Sequence, residues 1–310
     1  MYYYYPVRRR RSLKPWLFSL ILVVLAAFGA WKVFALDEPF TLSGTTTKIL
    51  GVFKPQPINP DTLGLKLKPY LEEFARRGWR IGLAVYDFKT KSSYNLNSTE
   101  VFEAASLTKL PVLLTAFDRI ERGELNLNQM IEVRADQIHD YGTSVLQYHG
   151  PGTKYSLQDL LWYMANRSDN TSFQVLIDLL GTGSIEKNLH DWGFQTTSIT
   201  DNETTPRGMM RMFDLIYNHK LIEPSFNNQM MMMLVETNDE SRIPAGVSKE
   251  INVIHKTGNA IGGLQDAGVV ELPDRPYEIA ILTDNVDDEV RATELEAQIS
   301  KVVFDYIKSL

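Results

Sequence analysis

Residues 252–282 read NVIHKTGNAIGGLQDAGVVELPDRPYEIAIL. Three runs rich in β-branched and aromatic residues, Asn252 to Lys256, Leu264 to Glu271 and Tyr277 to Leu282, are separated by a Gly-containing break and a Pro/Asp-containing break. This predicts three consecutive strands. A helix from about Asp287 to Ile307 closes the chain. Near the other end, a helical pattern over Leu63 to Arg77 precedes Ile81 to Asp87 and Ser93 to Leu96, which predict two more strands. Between these groups the apolar spacing is helical. A helix from about Ser106 carries Leu110, Leu113, Leu114, Phe117 and Ile120 on one face, and others are predicted over Ser156 to Ala165, Asn170 to Leu180, Ser184 to Trp192, Pro206 to Asn218 and Pro224 to Val235. Pro111, near the start of the first of these, is expected to leave the Leu107 carbonyl without its usual donor. The order predicts an α/β (α+β) domain over residues 61–310. Its antiparallel sheet is built from both chain ends and flanked by helices, and a helical subdomain is inserted between the two halves.

Composition sets the outer bounds. The chain has 310 residues, 44% hydrophobic and 23% charged, which suits a globular protein and excludes a fibrous or disordered one. It has no cysteine, which excludes disulfides, a thiolate nucleophile and thiolate-bound zinc. The net charge of -6 conceals two parts, because Arg8, Arg9, Arg10, Arg11, Lys14 and Lys32 lie in the first 36 residues, where there is no acid. The remaining body is strongly acidic, which argues against a nucleic-acid binder. After the arginines comes an uncharged run from Trp16 to Trp31, continuing past Lys32 to Leu36. Residues 1–15 therefore read as a cytoplasmic basic segment and 16–36 as a transmembrane signal-anchor helix, with the rest of the chain on the outer side. A cleaved signal peptide is the alternative, and the aromatic residues around Ala27-Phe28-Gly29 make it a poor cleavage region. Residues 37–60, rich in Thr and Pro, read as a tether; a first strand at Lys48 to Phe53 is the other reading.

Three short motifs occur in order in the 61–310 region: Ser106-Leu107-Thr108-Lys109, Ser168-Asp169-Asn170 and Lys256-Thr257-Gly258. Each alone is weak, and Ser184-Ile185-Glu186-Lys187 is a second S-x-x-K on a helical stretch. The ordered set is specific. A serine hydroxyl is a poor nucleophile until a base takes its proton, and a lysine three residues later on a helix lies on the same face. For that role Lys109 has to be neutral, which burial and the nearby charge of Lys256 would favour. The Ser168 hydroxyl suits a proton relay, and Asn170 offers an amide to orient a substrate. Lys256 and Thr257 suit a substrate carboxylate, and Gly258 a close approach of ligand to backbone.

With these motifs the chain resembles the class A β-lactamase family and its penicillin-binding relatives over about residues 61–310. Thr204-Thr205-Pro206 with Met209 and the run Asp159 to Met164 fit the same pattern. The resemblance implies an aromatic wall of the cleft at Tyr141, and an oxyanion hole made by the backbone N–H groups of Ser106 and Asn259. It implies acyl transfer from a β-lactam or a D-alanyl-D-alanine-type peptide through an acyl-Ser106. No cofactor and no metal are expected, since the five histidines show no paired spacing. The chain departs from the family in one place: no E-x-x-L-N lies between Ser168 and Thr204, and that stretch is short. Glu203 abuts Thr204-Thr205-Pro206 and is read as the end of the loop, so deacylation is expected to be slow. The rival reading is a penicillin-binding sensor of cell-wall fragments with little turnover. Met209, Met210, Met212 and Met230 to Met233 read as adaptable core, Gly181-Thr182-Gly183 as a helix stop, and His255 as more suited to the face of its strand opposite Lys256.

Overall fold

Alternation along the strands decides which layer covers each face of the sheet. In the computed structural model, which describes residues 55–310, β1 (Arg80–Asp87), β2 (Ser92–Leu96), β7 (Val253–Ala260), β8 (Gly263–Val270) and β9 (Tyr277–Asp284) form one antiparallel sheet in the order β2-β1-β9-β8-β7. Ile81, Leu83 and Val85, with Tyr277, Ile279 and Ile281, point to a core shared with α1 (Pro60–Arg77) and α8 (Glu289–Lys308). The intervening Ala280 and Leu282, with Ala267 and Val269, point the other way into the core of the inserted helical body. Ala84, Ala280 and Ala267 sit opposite one another across β1, β9 and β8. This row of small side chains lies in the part of the sheet on which α6 (Pro206–Tyr217) packs. A Cβ on Gly82 would fall 2.7 Å from both the Phe102 ring and Pro206, so the β1 backbone is pressed against its neighbours.

The inserted body contains α2 (Lys109–Glu121), α3 (Leu157–Asn166), α4 (Asn170–Leu180), α5 (Thr182–Asp191), α6 and α7 (Pro224–Met232). Several ends carry local capping signals, and Gly181 is the helix stop read from sequence. Ser156, Asp169 and Thr205 cap α3, α4 and α6 by accepting the amides of Asp159, Ser172 and Gly208, and Gly181 ends α4 with φ +79°. Met209, Met212, Met230 and Met233 are buried in this core, as expected, while Met232 is exposed.

Four features differ from expectation. The helix expected from Ser106 is a 3₁₀ turn, Ala105–Thr108, followed by α2 from Lys109. Pro111 thus lies in the first turn of α2, where amides have no partner inside the helix in any case, and its cost is smaller than expected. β7 runs four residues beyond Lys256: Thr257, Gly258 and Asn259 pair with Asp266, Gln265 and Leu264, because a full-length partner strand overrides the weak strand preference of Gly and Asn. Helix α7 stops at Met232, short of Val235, and the Leu234 carbonyl instead accepts the His255 amide at 2.9 Å. Two ribbons were not legible, β3 (Phe102–Glu103) with β6 (Glu203–Thr204), and β4 (Met130–Glu132) with β5 (Lys154–Ser156). Strands of two or three residues carry no period.

The expected cytoplasmic segment, 1–15, membrane helix, 16–36, and the tether as far as residue 54 lie outside the described residues. The last residues read as tether are docked on the domain: Ile58 is buried, its amide meets Ser92 Oγ at 2.7 Å, and the Asn59 amide meets the Tyr306 hydroxyl at 2.9 Å. Among the described residues no helix is long and apolar enough to cross a membrane.

Candidate active site

The site forms where the 3₁₀ turn at Ser106 meets the edge strand β7. Ala105, directly before Ser106, has φ +48°. Gly258 makes the close approach possible, since a Cβ there would lie 3.0 Å from the Ala104 carbonyl oxygen and 3.1 Å from the Ser106 amide nitrogen. The glycine therefore serves the contact between strand and turn, a reason more specific than the ligand approach expected from sequence. Ser106 is half-buried and Lys109 is buried beneath it.

Lys109 Nζ lies 2.9 Å from Ser106 Oγ, and donates to the Ser168 carbonyl at 2.7 Å and to Asn170 Oδ1 at 2.8 Å. Burial, reinforced by the neighbouring Lys256 ammonium, holds its pKa well below the usual lysine range against the pull of Asp169. A neutral amine has two hydrogens and one lone pair. In that form the two carbonyl acceptors would take the hydrogens and leave the lone pair facing the Ser106 hydroxyl.

Ser168 connects the two lysines. Its backbone is left-handed at φ +56°, a conformation costly for a residue with a side chain. Its Oγ lies 3.2 Å from Lys109 Nζ and 3.1 Å from Lys256 Nζ. Asp169, fully buried, caps α4 and accepts the amides of Val145 and Leu146, the latter at 3.0 Å, so the turn is tied to the loop above it. Asn170 Nδ2 donates to the Tyr141 carbonyl at 3.1 Å. Beside it Gly142 has φ +61°, and a Cβ there would lie 2.8 Å from Asn170 Nδ2. Tyr141 is therefore held at the cleft through its backbone, and its ring is exposed and edge-on to His139.

Lys256 is fully buried and also donates to the Thr257 carbonyl at 2.9 Å. Burial pushes its pKa down to about 8, with Arg242 adding to the shift and Asp266 and Asp239 opposing it. Thr257 is buried next to it, and Asn259, two residues on, is exposed. Ser106, Lys109, Ser168, Asn170, Lys256, Thr257, Gly258, Asn259 and Tyr141 are thus gathered from both halves of the domain. Ser184 and Lys187 of the second S-x-x-K are elsewhere, bonded to Arg119 and Asp191.

Sequence reading missed Arg242. Buried under β7, it donates to the carbonyls of Gly258 at 3.2 Å and Gln265 at 2.9 Å, and to Asn259 Oδ1. It sits in a loop without periodicity, and its burial against β7 has no sequence signal. His255 lies on the side of β7 away from Lys256, as read. No cluster of His, Asp and Glu suited to a metal ion occurs among the described residues.

On the flank where the stretch from Ser168 to Thr204 ends, Glu203 pairs with Glu103 across the β3–β6 ribbon, and both are exposed. The Asn202 carbonyl accepts the Ala104 amide at 2.7 Å, which fixes the ribbon to the start of the Ser106 turn. No carboxylate bonds to Ser106, Lys109 or Ser168 among the described residues.

Comparison with known proteins bears on the fold and the family. The chain is 26% identical over 275 residues to β-lactamase VEB-1 of Pseudomonas aeruginosa, covering 79% of this chain and 90% of that protein. It is 27% identical over 142 residues to the β-lactamase regulatory protein BlaB of Streptomyces cacaoi, covering 46% and 45% of the two chains. A solved structure of a PBP-A variant, an acyl-enzyme complex with penicillin-G, superposes with a TM-score of 0.76 at 26% identity, covering 82% of this chain and all of that one. The sequence profile of the Beta-lactamase enzyme family matches residues 66–307, so the fold, the ordered motifs and the profile place the chain in that family.

Proposed function

We propose that this member of the family is a membrane-anchored serine hydrolase that forms an acyl-enzyme at Ser106 with β-lactams or D-alanyl-D-alanine-type peptides, and releases the acyl group slowly. The observation that carries the reading is the 2.9 Å contact between Ser106 Oγ and a buried, pKa-depressed Lys109. Neutral Lys109 takes the Ser106 proton as Oγ bonds to the substrate carbonyl carbon. The oxyanion faces the N–H groups of Ser106 and Asn259. As the carbon–nitrogen bond breaks, the proton passes from Lys109 through the Ser168 hydroxyl to the leaving nitrogen, and acyl-Ser106 remains. Lys256, as an ammonium, and Thr257 receive the substrate carboxylate, Asn170 orients the acyl amide, and Tyr141 forms one wall.

Slow release follows from the flank. Hydrolysis of acyl-Ser106 needs a water activated by a base, and the exposed Glu203 is engaged in a ribbon facing Glu103. The same feature favours a second reading, a weakly turning-over sensor of cell-wall fragments, to which the partial similarity to a regulatory protein adds support. The charged and uncharged runs at residues 8–36 support a single-pass anchor with the catalytic domain on the outer side.

Intact-mass spectrometry of the full chain mixed with benzylpenicillin tests the reading. A long-lived adduct that is lost in Ser106→Ala supports it. Accumulating penicilloate with only a fleeting adduct overturns the slow release, and neither adduct nor product overturns acyl transfer. A sensor would keep ligand affinity in Ser106→Ala.

A further inference from the structure

The polar cluster on the back of β7 has no part in the chemistry above, yet it joins the two sides of the cleft. His255 is fully buried. Its Nδ1 lies 2.9 Å from Asp266 Oδ1 of β8, and its Nε2 lies 3.1 Å from both Glu240 Oε1 and Thr237 Oγ1. Glu240 in turn accepts the Thr237 amide at 2.6 Å, and Asp266 accepts the Ile243 amide at 3.0 Å. Loop 235–243 is therefore closed onto β7 through this ring. Its other end is held by the last residue of α3: Asn166 Nδ2 donates to the Val235 carbonyl at 3.0 Å, and the Asn166 carbonyl accepts the Asn238 amide at 3.2 Å. Asn166 is two residues before Ser168, and His255 is one residue before Lys256. The loop thus spans from the Ser168 turn to β7 behind the 3.1 Å contact between Lys256 and Ser168.

We propose that the Asp266–His255–Glu240 clamp makes His255 a positioning residue, which holds β7 at the distance from the Ser168 turn that acylation of Ser106 requires. This rests on the acyl-transfer reading. The ring has to be an imidazolium, because only then can both nitrogens donate to the two carboxylates. Burial opposes that charge, but Asp266 and then Glu240 outweigh it and push the ring up to about 9. The other charged groups around it are Asp239 and Arg242 on the loop, Lys256 on β7, and Glu296 of α8 beyond Arg242. Because folding raises this pKa above the ordinary 6.5, the clamp's contribution is complete below about 6.5 and is lost as pH rises through about 9.

Glu240→Gln is the informative variant, since this side chain is 43% exposed and its removal leaves an acceptor for the ring while deleting one charge. The full chain is followed for its rate of acylation by benzylpenicillin between pH 6 and 10, and the ring protonation is read by NMR in the same samples. At pH 6.5 the Glu240→Gln rate is expected within about twofold of the unaltered protein, and at pH 8.5 about five- to tenfold below it, because the ring gives up its proton earlier. A ratio that does not change with pH, while the ring titration has shifted, overturns the proposal. If Glu240→Gln fails to fold, the unaltered protein decides: with an acyl donor that lacks a carboxylate, so that Lys256 does not contribute, the ring titration must coincide with an inflection in its own acylation profile, and a ring that titrates without one overturns the clamp. No adduct on the unaltered protein overturns the acyl-transfer reading itself, and this inference with it.

Discussion

The floor of the cleft and its flank are built in opposite ways. On the floor, Ser106, Lys109, Ser168 and Lys256 form a chain of contacts no longer than 3.2 Å, mostly buried, with both lysines depressed by burial. On the flank, β3 and β6 pair over two residues and present two exposed glutamates to solvent. A buried floor can make a serine nucleophilic, whereas an exposed ribbon supplies nothing to activate water. In the proposed reaction this difference would separate two half-reactions that share one serine, a fast first step and a slow second one.

The largest effect should come from the floor. Lys109→Met is expected to lower the rate of acylation by benzylpenicillin about 10³-fold, as loss of a general base does, with little change in thermal midpoint; stopped-flow acylation with a calorimetric control measures both. Gly258→Ala brings a methyl group against Ala104 and the Ser106 amide, so β7 must shift by a few tenths of an ångström. The expected cost is about ten- to a hundredfold in acylation by the same assay, and a rate unchanged from the parent would show that the strand and the turn need not touch. Next comes pH. Lys256 attracts a carboxylate only while protonated, so acylation by a carboxylate-bearing β-lactam should fall about tenfold per pH unit above about 8, and an acyl donor without a carboxylate should escape this fall. The smallest effect belongs to the flank. Glu203→Gln should leave the lifetime of the adduct within about twofold, whereas loss of a true general base would lengthen it by about 10²–10⁴. A long-lived adduct appearing only in that variant would erase the contrast between floor and flank.

Much of this was legible because it is local. The apolar period of α2, the Gly181 helix stop and the β-branched runs of β8 and β9 each act within a few residues, and the three motifs announce their chemistry by residue type. What escaped depends on partners distant in sequence. Thr257 to Asn259 are strand only because β8 lies beside them. The 3₁₀ turn at Ser106 follows from the demand of the β7 contact, against the helical periodicity of the sequence. Arg242 is placed by burial against β7, and the His255 ring owes its charge to Asp266 and Glu240 against the pull of burial, neither of which any spacing encodes. The positive φ of Ser168 is likewise a tertiary imposition, sustained by the bonds Asp169 makes on either side.

The strand order has a kinetic meaning. β9 lies between β1 and β8, and Arg80 pairs with Asp284, 204 positions further along the chain, so neither half of the sheet is complete until nearly the whole chain is available. Contacts of such span pay a large loop-closure entropy before they return any energy, which slows folding and delays it to the end of synthesis. The Ser106 turn, about a third of the way along, gains its β7 wall only then. An unfinished or truncated chain therefore carries a serine without its site, and reactivity at Ser106 reports that the last strand has closed.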